Sequence, residues 1–369
     1  MVYSVAVVGD IIMDAPFSGP TGPREQVRAL LGKADHCFAN LELPLTTSEQ
    51  QADKLICLKA PPSLAADLGE FGIDVVTFAN NHSMDYGVSG LRDTLDALDQ
   101  AGVAHVGAGM TLAESLEPTI LTTATARVAY LGIATTLPTG SGAGPGRPGI
   151  APIRVVTRYV IDPISIDETP GMSPFVETVV IEGDQNAVLA AVREAASHND
   201  LVIVAIHWGV PYGFVALNQH ELADYQRPLG KALIDAGASA VIGHHPHYLQ
   251  GVEFYDGRPI FYSVGNFIIQ DLIPSTSSNR PYPPYDFDSI KSDITRIGAV
   301  VRLTWTDLKA GPDCVMIPIE INGHGEPNIA GRDMAERGRS LIELGSRKLN
   351  CDVLLAFNDE TPEIRLTAT

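Results

Sequence analysis

The feature that most constrains the fold is a repeated pattern in which a short apolar run stops at a residue of a metal-binding type. The pattern is fullest at 240–247, Ala-Val-Ile-Gly-His-His-Pro-His, where three histidines follow an apolar run that ends at a glycine. Five such runs lead into polar residues, which are Asp10, Asn40 and Glu42, Asn81 and His82, His207, and His245 and His247. Runs of this kind that alternate with helical segments predict an α/β fold with buried parallel strands.

Sites in open α/β sheets form outside the carboxyl ends of the strands, so these five strand ends are expected to meet. Each residue has a plainer interpretation when it is taken alone. The histidine cluster could be a polar surface turn, Glu42 a solvated loop acid, and His207 a structural histidine. Repetition of the pattern favours a metal centre, and Pro246 would stiffen the pair that flanks it because its φ angle is fixed.

The donor set indicates two ions rather than one structural zinc. A closed zinc site needs about four ligands, often cysteines, and none of the four cysteines is suitably placed. We therefore predict two divalent metal ions, of manganese, iron, zinc or nickel, because mixed carboxylate, amide and imidazole ligands suit any of these. Between such ions a bound water becomes an acidic nucleophile, which indicates hydrolysis of a phosphoryl or acyl centre. His82 would then be free to protonate the leaving group.

Five further residues are expected to surround these ligands or to touch the substrate, with Trp208 as a wall of the cleft; they are Asn40, Asn80, Trp208, His244 and Asn266. We expect a catalytic domain over 1–330, with a C-terminal helix and tail over 331–369 packed on it. The Gly- and Pro-rich stretch 136–152 is predicted to be a mobile surface loop or lid, and 273–293 a loop that could close over the substrate.

Charge and hydropathy exclude some partners. The 25 basic and 44 acidic residues leave a net charge of −19, which repels nucleic acid at long range. No apolar run is long enough for a membrane span, and the N-terminus reads as a first strand rather than a signal peptide. A cytoplasmic protein acting on a small molecule or short polymer is the expectation, and the oligomeric state is not readable from the sequence.

Six motifs mark the apolar runs and the polar residues that follow them: Val-Val-Gly-Asp, Ala-Asn-Leu-Glu, Phe-Ala-Asn-Asn-His-Ser-Met-Asp-Tyr-Gly, Val-Ala-Ile-His-Trp-Gly, Val-Ile-Gly-His-His-Pro-His and Tyr-Ser-Val-Gly-Asn-Phe. Together they resemble the motifs of the CapA family, which is associated with capsule and poly-γ-glutamate biosynthesis and is similar to the calcineurin-like metallophosphoesterases. The resemblance implies a four-layer αββα sandwich with a dimetal site on loops at the strand ends. It implies that the metal ligands are Asp10, Glu42 or Asn40 as the bridging residue, Asn81, His207, His245 and His247. It also implies that His82 acts on the leaving group or oxyanion.

The chain departs from the phosphoesterase pattern at the first motif, where Ile12 stands in place of a histidine ligand, and at the acidic motif, which is Asn-Leu-Glu. Three functions follow from these observations. The first is a metal-dependent, metallophosphoesterase-like hydrolase of a phosphoester or an amide or peptide-like bond. The second is a biosynthetic enzyme that forms or rearranges an amide with the metals as Lewis acids. The third is a non-catalytic component of capsule or poly-γ-glutamate assembly.

Overall fold

A computed structural model describes residues 2–17, 19, 22–54, 56–169, 175–209, 222–270, 293–351, 353–357 and 362–368. These residues form strands numbered along the chain as β1 (Tyr3–Ile12), β2 (His36–Leu41), β3 (Val75–Thr77), β4 (Ala104–Val106), β5 (Ala108–Gly109), β6 (Thr119–Thr122), β7 (Arg127–Ala134), β8 (Gly149–Ile150), β9 (Val155–Val160), β10 (Phe175–Val180), β11 (Leu201–His207), β12 (Ala240–His244), β13 (Val252–Tyr255), β14 (Arg258–Phe261), β15 (Asn266–Ile269), β16 (Ile297–Trp305), β17 (Asp313–Ile321), β18 (Pro327–Ile329), β19 (Val353–Phe357) and β20 (Ile364–Ala368). Their helices are α1 (Gly22–Leu31), α2 (Leu64–Phe71), α3 (Gly87–Ala101), α4 (Leu112–Ser115), α5 (Pro163–Glu168), α6 (Glu182–His198), α7 (Gln226–Asp235) and α8 (Arg332–Lys348).

Most strands belong to two sheets. The larger sheet follows the order β19-β20-β17-β16-β1-β2-β3-β4, with β15 paired to β1 and β18 paired to β17. The smaller sheet follows the order β13-β14-β12-β11-β7-β6. Strands β1, β2, β3 and β4 pair in parallel, as do β7, β11, β12 and β14, so their carboxyl ends share an edge within each sheet.

The two sheets stack face to face and carry helices on their outer faces, so the predicted four-layer αββα sandwich is confirmed. One core lies between the sheets and contains Val5 and Val7 of β1 with Ile203 of β11. On the outer face of the larger sheet, side chains such as Leu68 of α2 are buried in a second core. A third core holds Leu233 of α7 against the smaller sheet. Both faces of the parallel strands are covered, which explains why the sequence shows continuous apolar runs rather than alternation.

The structure differs from the sequence-based prediction at segment 136–152. The sequence predicts a mobile loop or lid there, but the segment contains β8, which pairs with β5, and its backbone is held by hydrogen bonds such as the one from Ile150 N to Ser141 O. The predicted loop 273–293 lies outside the described residues except for Asp293. At the other end of the chain, β20 pairs with β17 and α8 lies against the same strand. None of the helices in the described ranges combines the length and hydropathy needed to cross a bilayer.

Candidate metal centre

Strand register brings the first site residues together. Asp10 of β1 is level with Asn40 on the neighbouring β2 and with Asn266 on β15, which flanks β1 on its other side. In the smaller sheet, His207 of β11 is level with His244 of β12. Asp10, Asn40, His207 and His244 lie at or near the carboxyl ends of their strands, which is where the sequence pattern predicted a site, and Asn266 lies beside Asp10 as the first residue of β15. The larger and smaller sheets approach each other at this edge, where β1 contacts β12.

Gly9 allows the segment before Asp10 to lie very close to Gly265 at this edge. A Cβ atom on Gly9 would lie 1.9 Å from the carbonyl oxygen of Gly265, so only glycine permits the close approach of these two segments. Next to it, the amide of Asp10 donates to the same carbonyl oxygen at 3.1 Å. The glycine that precedes Asp10 thus fixes the height at which its carboxylate enters the site.

The turn after β12 holds two histidines in strained backbone conformations. His245 has a φ of 101° and His247 a φ of 60°, in the left-handed region that side chains other than glycine rarely adopt. Such residues cost on the order of 1–3 kcal/mol each and cluster at functional sites. The turn separates the two side chains, because His245 joins one group of ligand atoms and His247 another.

The first group of possible ligands comprises Asp10, Glu42 and His247. His247 Nδ1 lies 3.3 Å from Asp10 Oδ2 and 2.9 Å from Asn266 Oδ1, while its Nε2 lies 3.7 Å from Glu42 Oε1. Burial disfavours the imidazolium form, but the Glu42 and Asp10 carboxylates outweigh it and raise the pKa of His247 to about 9. In the metal-free protein this imidazole is therefore the main positive charge beside the two acids.

The second group comprises Glu42, His207 and His245, with Asn81 beside them. His207 Nε2 lies 3.1 Å from His245 Nδ1, 3.4 Å from Glu42 Oε1 and 2.6 Å from Asn81 Oδ1. Burial and the charge of neighbouring His245 hold the pKa of His207 well below its ordinary value. Burial and the charge of His247 lower the pKa of His245 to about 3. Both imidazoles are thus neutral at pH 7, which is the form that binds metals.

Glu42 provides the test of whether these residues fit a metal. Its side chain is fully buried and belongs to both groups, yet Oε1 has no hydrogen-bond partner. Burial and the nearby Asp10 carboxylate raise the pKa of Glu42 well above its ordinary value. A buried carboxylate oxygen without a partner is costly, and a cation is the usual way in which such a group is compensated. Ligand atoms on one ion are about 3–3.5 Å apart for bonds near 2.1 Å, which agrees with the distances of 3.1 and 3.4 Å from His207 Nε2 to His245 Nδ1 and Glu42 Oε1.

Asp10 is ionised in spite of its burial. It accepts hydrogen bonds from Asn40 Nδ2 at 2.8 Å and from the His245 amide at 3.4 Å, and His244 Nδ1 lies 3.0 Å from it. Although burial alone would favour the neutral acid, hydrogen bonds from His244 and His247 hold the pKa of Asp10 well below its ordinary value. The carboxylate is therefore fixed in the form and direction that a cation requires.

Two of the remaining predicted residues support the site, whereas Trp208 lies in the hydrophobic core. Asn80 donates to Asn40 Oδ1 at 3.1 Å, and Asn266 donates to the carbonyl of His247 at 2.9 Å, so both hold the ligand-bearing loops in place. Trp208 does not form a wall of the cleft, which corrects the prediction. It is fully buried in the core on the outer face of the smaller sheet, where it stacks on Tyr262 and donates from Nε1 to the Tyr262 carbonyl oxygen at 2.8 Å.

His82 lies beside the second group and has partners that sequence analysis missed. Its Nδ1 is 2.7 Å from Asp85 Oδ2, and Asp85 Oδ1 accepts from Lys54 Nζ at 2.5 Å. Lys54 Nζ also donates to the backbone carbonyl of Asn81 at 2.6 Å. Burial and the charge of Lys54 lower the pKa of His82. An aspartate three residues after a candidate catalytic histidine is a signal that could have identified Asp85, whereas nothing near Lys54 in the sequence marks it.

Comparison with known proteins places the chain in a family. Residues 4–271 match the family model described as bacterial capsule synthesis protein PGA_cap. An uncharacterized Sinorhizobium fredii protein, y4sH, is 31% identical over 330 residues, covering 78% of this chain and 70% of that protein. The Bacillus subtilis PGA biosynthesis protein CapA is 30% identical over 276 residues, covering 72% of this chain and 63% of CapA.

Among solved structures, one described as a novel phosphatase of Mycoplasma pneumoniae aligns with a TM-score of 0.41 at 10% identity, covering 93% of this chain and 99% of that one. The family assignment depends on the sequence match, which spans most of the chain and includes every candidate ligand, from Asp10 to His247. The CapA proteins of two Bacillus species are among the relatives of this chain. The chain therefore belongs to the family described as bacterial capsule synthesis protein PGA_cap.

Proposed function

We propose that this chain is a metal-dependent hydrolase with two divalent ions and that it cleaves a phosphoester or an amide bond. The observation that carries the proposal is Glu42, which is buried, lacks a hydrogen-bond partner at Oε1 and belongs to both groups of ligand atoms. One ion would be held by Asp10, Glu42 and His247, and the other by Glu42, Asn81, His207 and His245. When bound, the ions would supply Lewis acidity and a water that ionises near neutral pH.

The protein supplies the proton chemistry through His82. With its Nδ1 proton directed at Asp85, the ring keeps Nε2 available, and the described residues offer this nitrogen no partner. A neutral imidazole in this tautomer can accept a proton at Nε2 and return it to the leaving group. Asp85 would stabilise the imidazolium formed between these steps and hold the ring in place, while Lys54 fixes Asp85.

Access to the substrate is expected on the side of Asn81 and His245. These two residues are partly exposed, whereas Asp10 and Glu42 are fully buried. A substrate that reaches Asn81 also comes beside the adjoining His82. Asn81, next to His82, is thus more accessible than the two buried acids, which would put the proton donor on the side from which a substrate enters.

The test combines elemental analysis with two probes, an aryl phosphate ester and a γ-glutamyl anilide. We expect about two transition-metal ions per chain and metal-dependent cleavage of one probe. Asp10→Ala and His247→Ala should lose metal and turnover together, while His198→Ala, which alters an exposed histidine on α6, should lose neither. A protein that binds no divalent metal, or an Asp10→Ala variant with full turnover, would refute the proposal.

The description of the Bacillus subtilis relative as a PGA biosynthesis protein favours a second candidate. In that role the same site would form or rearrange an amide bond, or would bind polymer during capsule assembly without catalysis. Stoichiometric metal binding without cleavage of either probe is the result that selects this candidate over the hydrolase.

A further inference from the structure

Strands β9 and β10 form a two-stranded ribbon apart from the two main sheets. They pair antiparallel over six residues, from Val155 opposite Val180 to Val160 opposite Phe175. Within the part of the chain that the structure describes, neither strand pairs with any other. Successive side chains of a strand point to opposite faces, so the ribbon has two distinct faces.

Part of one face packs on the body of the protein, while the end of that face that carries Tyr159 and Val176, at 61% and 36% exposure, projects beyond it. Thr178 is 4% exposed and its amide donates to Asp224 at 3.1 Å. Val155 and Val180, which also belong to this face, contact the core on the outer side of the smaller sheet. This face anchors the ribbon and leaves the opposite face directed away from the body.

The outer face carries three cross-strand rows. Val156 lies opposite Val179, Arg158 opposite Glu177, and Val160 opposite Phe175. The four apolar side chains are 38–56% exposed, with Val160 lowest and Val179 highest. Among the described residues neither Arg158 nor Glu177 has an ion-pair partner, although they occupy the centre of the face and both are exposed.

An exposed apolar face of this kind indicates that another molecule binds to it. Its four apolar residues together present about 300 Å² of surface, which is within the range of the largest patches on monomers. With the exposed Arg158 and Glu177 included, two copies facing each other would bury somewhat less than about 1,000 Å², which is the size of a weak interface. An interface of this size is expected to form reversibly, so the fraction of dimer should rise with protein concentration.

The order of the rows selects a second copy of this chain as the partner. A two-fold axis parallel to the strands, between two stacked ribbons, places β9 of one copy over β10 of the other. Arg158 then faces Glu177 of the partner subunit, and each apolar row faces an apolar row. A dimer interface must be complementary to itself, and this face meets that condition in its charges and in its apolar rows. We propose that the outer face of the β9–β10 ribbon is a homodimer interface.

Charge reversal in the full-length chain tests the proposal by sedimentation equilibrium over a range of concentrations. Arg158→Glu makes the centre of the face wholly acidic and Glu177→Arg makes it wholly basic, so each variant alone should dimerise at least tenfold more weakly than the wild type. The two variants mixed in equal amounts should associate with each other. The double variant carrying both changes should recover the wild-type constant.

The mixing experiment separates an interface from a folding defect, because a variant that merely misfolds would not be rescued by its counterpart. Glu25→Arg reverses an exposed charge on α1, which packs on the larger sheet rather than on the side that carries the ribbon, and should leave the association constant unchanged. A wild type that stays monomeric at several hundred micromolar overturns the proposal. Single variants that dimerise as tightly as the wild type overturn it as well, as does a mixture that fails to associate.

Discussion

The substitution Glu42→Gln should have opposite effects on the metal-free and the metal-loaded protein. In the absence of metal, Oε1 is buried without a partner and the pKa of the carboxyl is raised by burial and by Asp10. Leaving such a group unsatisfied costs about 1–3 kcal/mol. A neutral amide of the same shape can donate to the Asp10 carboxylate, with which the Glu42 side chain is in hydrogen-bond contact, so the variant should gain up to about that amount.

With metal bound, the order should reverse. A metal at 100 times its dissociation constant stabilises the wild type by about 2.7 kcal/mol. Glu42 belongs to both groups of ligand atoms, so its loss weakens both. If affinity falls by about 100-fold, the same metal concentration adds only about 0.4 kcal/mol to the variant. The metal-induced gain in stability should therefore shrink about sevenfold.

Urea denaturation with EDTA and with added Mn²⁺ measures both effects in one series. Glu117→Gln, an exposed glutamate away from the site, serves as the matched control and should shift neither midpoint. The reasoning fails if Glu42→Gln destabilises the metal-free protein while keeping the full metal-induced gain. That outcome would mean that Glu42 supports the fold through contacts that do not involve a metal.

Three further predictions address the proton donor, the pH response and the backbone. His82→Ala should lower the turnover of the cleaved probe by about 10²–10⁴-fold, and Asp85→Asn should lower it by about 10–100-fold. The metal content of both variants, measured by elemental analysis, should be unchanged. Loss of metal would instead mean that these residues have a structural role. Because the pKa of His247 is raised from about 6.5 to about 9, its contribution to stability is complete below pH 6.5 and is lost as the pH rises to 9. Urea midpoints of the metal-free protein should fall over that range, and His247→Gln should flatten the fall. Gly9→Ala places a Cβ 1.9 Å from the Gly265 carbonyl oxygen and should cost about 3 kcal/mol or more, whereas Gly146→Ala, whose Cβ meets nothing within 4 Å, should be nearly neutral in the same denaturation assay.

The sequence alone determined the layered α/β fold and the residues that gather at one edge. Parallel strands covered on both faces must be apolar throughout, and each must end where the chain meets polar surroundings. The runs before Asp10, His207 and His245 show this locally, so no knowledge of strand order is needed to find them. The sequence also shows a glycine before Asp10, but it does not show the close approach to Gly265 that requires this glycine.

Only the tertiary structure decided which residues share which neighbours. Glu42 meets His207 across 165 positions of chain, and Lys54 reaches His82 and Asp85 from a segment whose own sequence carries no motif. Sequence analysis placed Trp208 at the cleft because it follows His207, but alternation along the strand end directs it into the opposite core beside Tyr262. Side-chain direction and strand neighbours depend on contacts far apart in the chain, and such contacts leave no periodic signal in the local sequence.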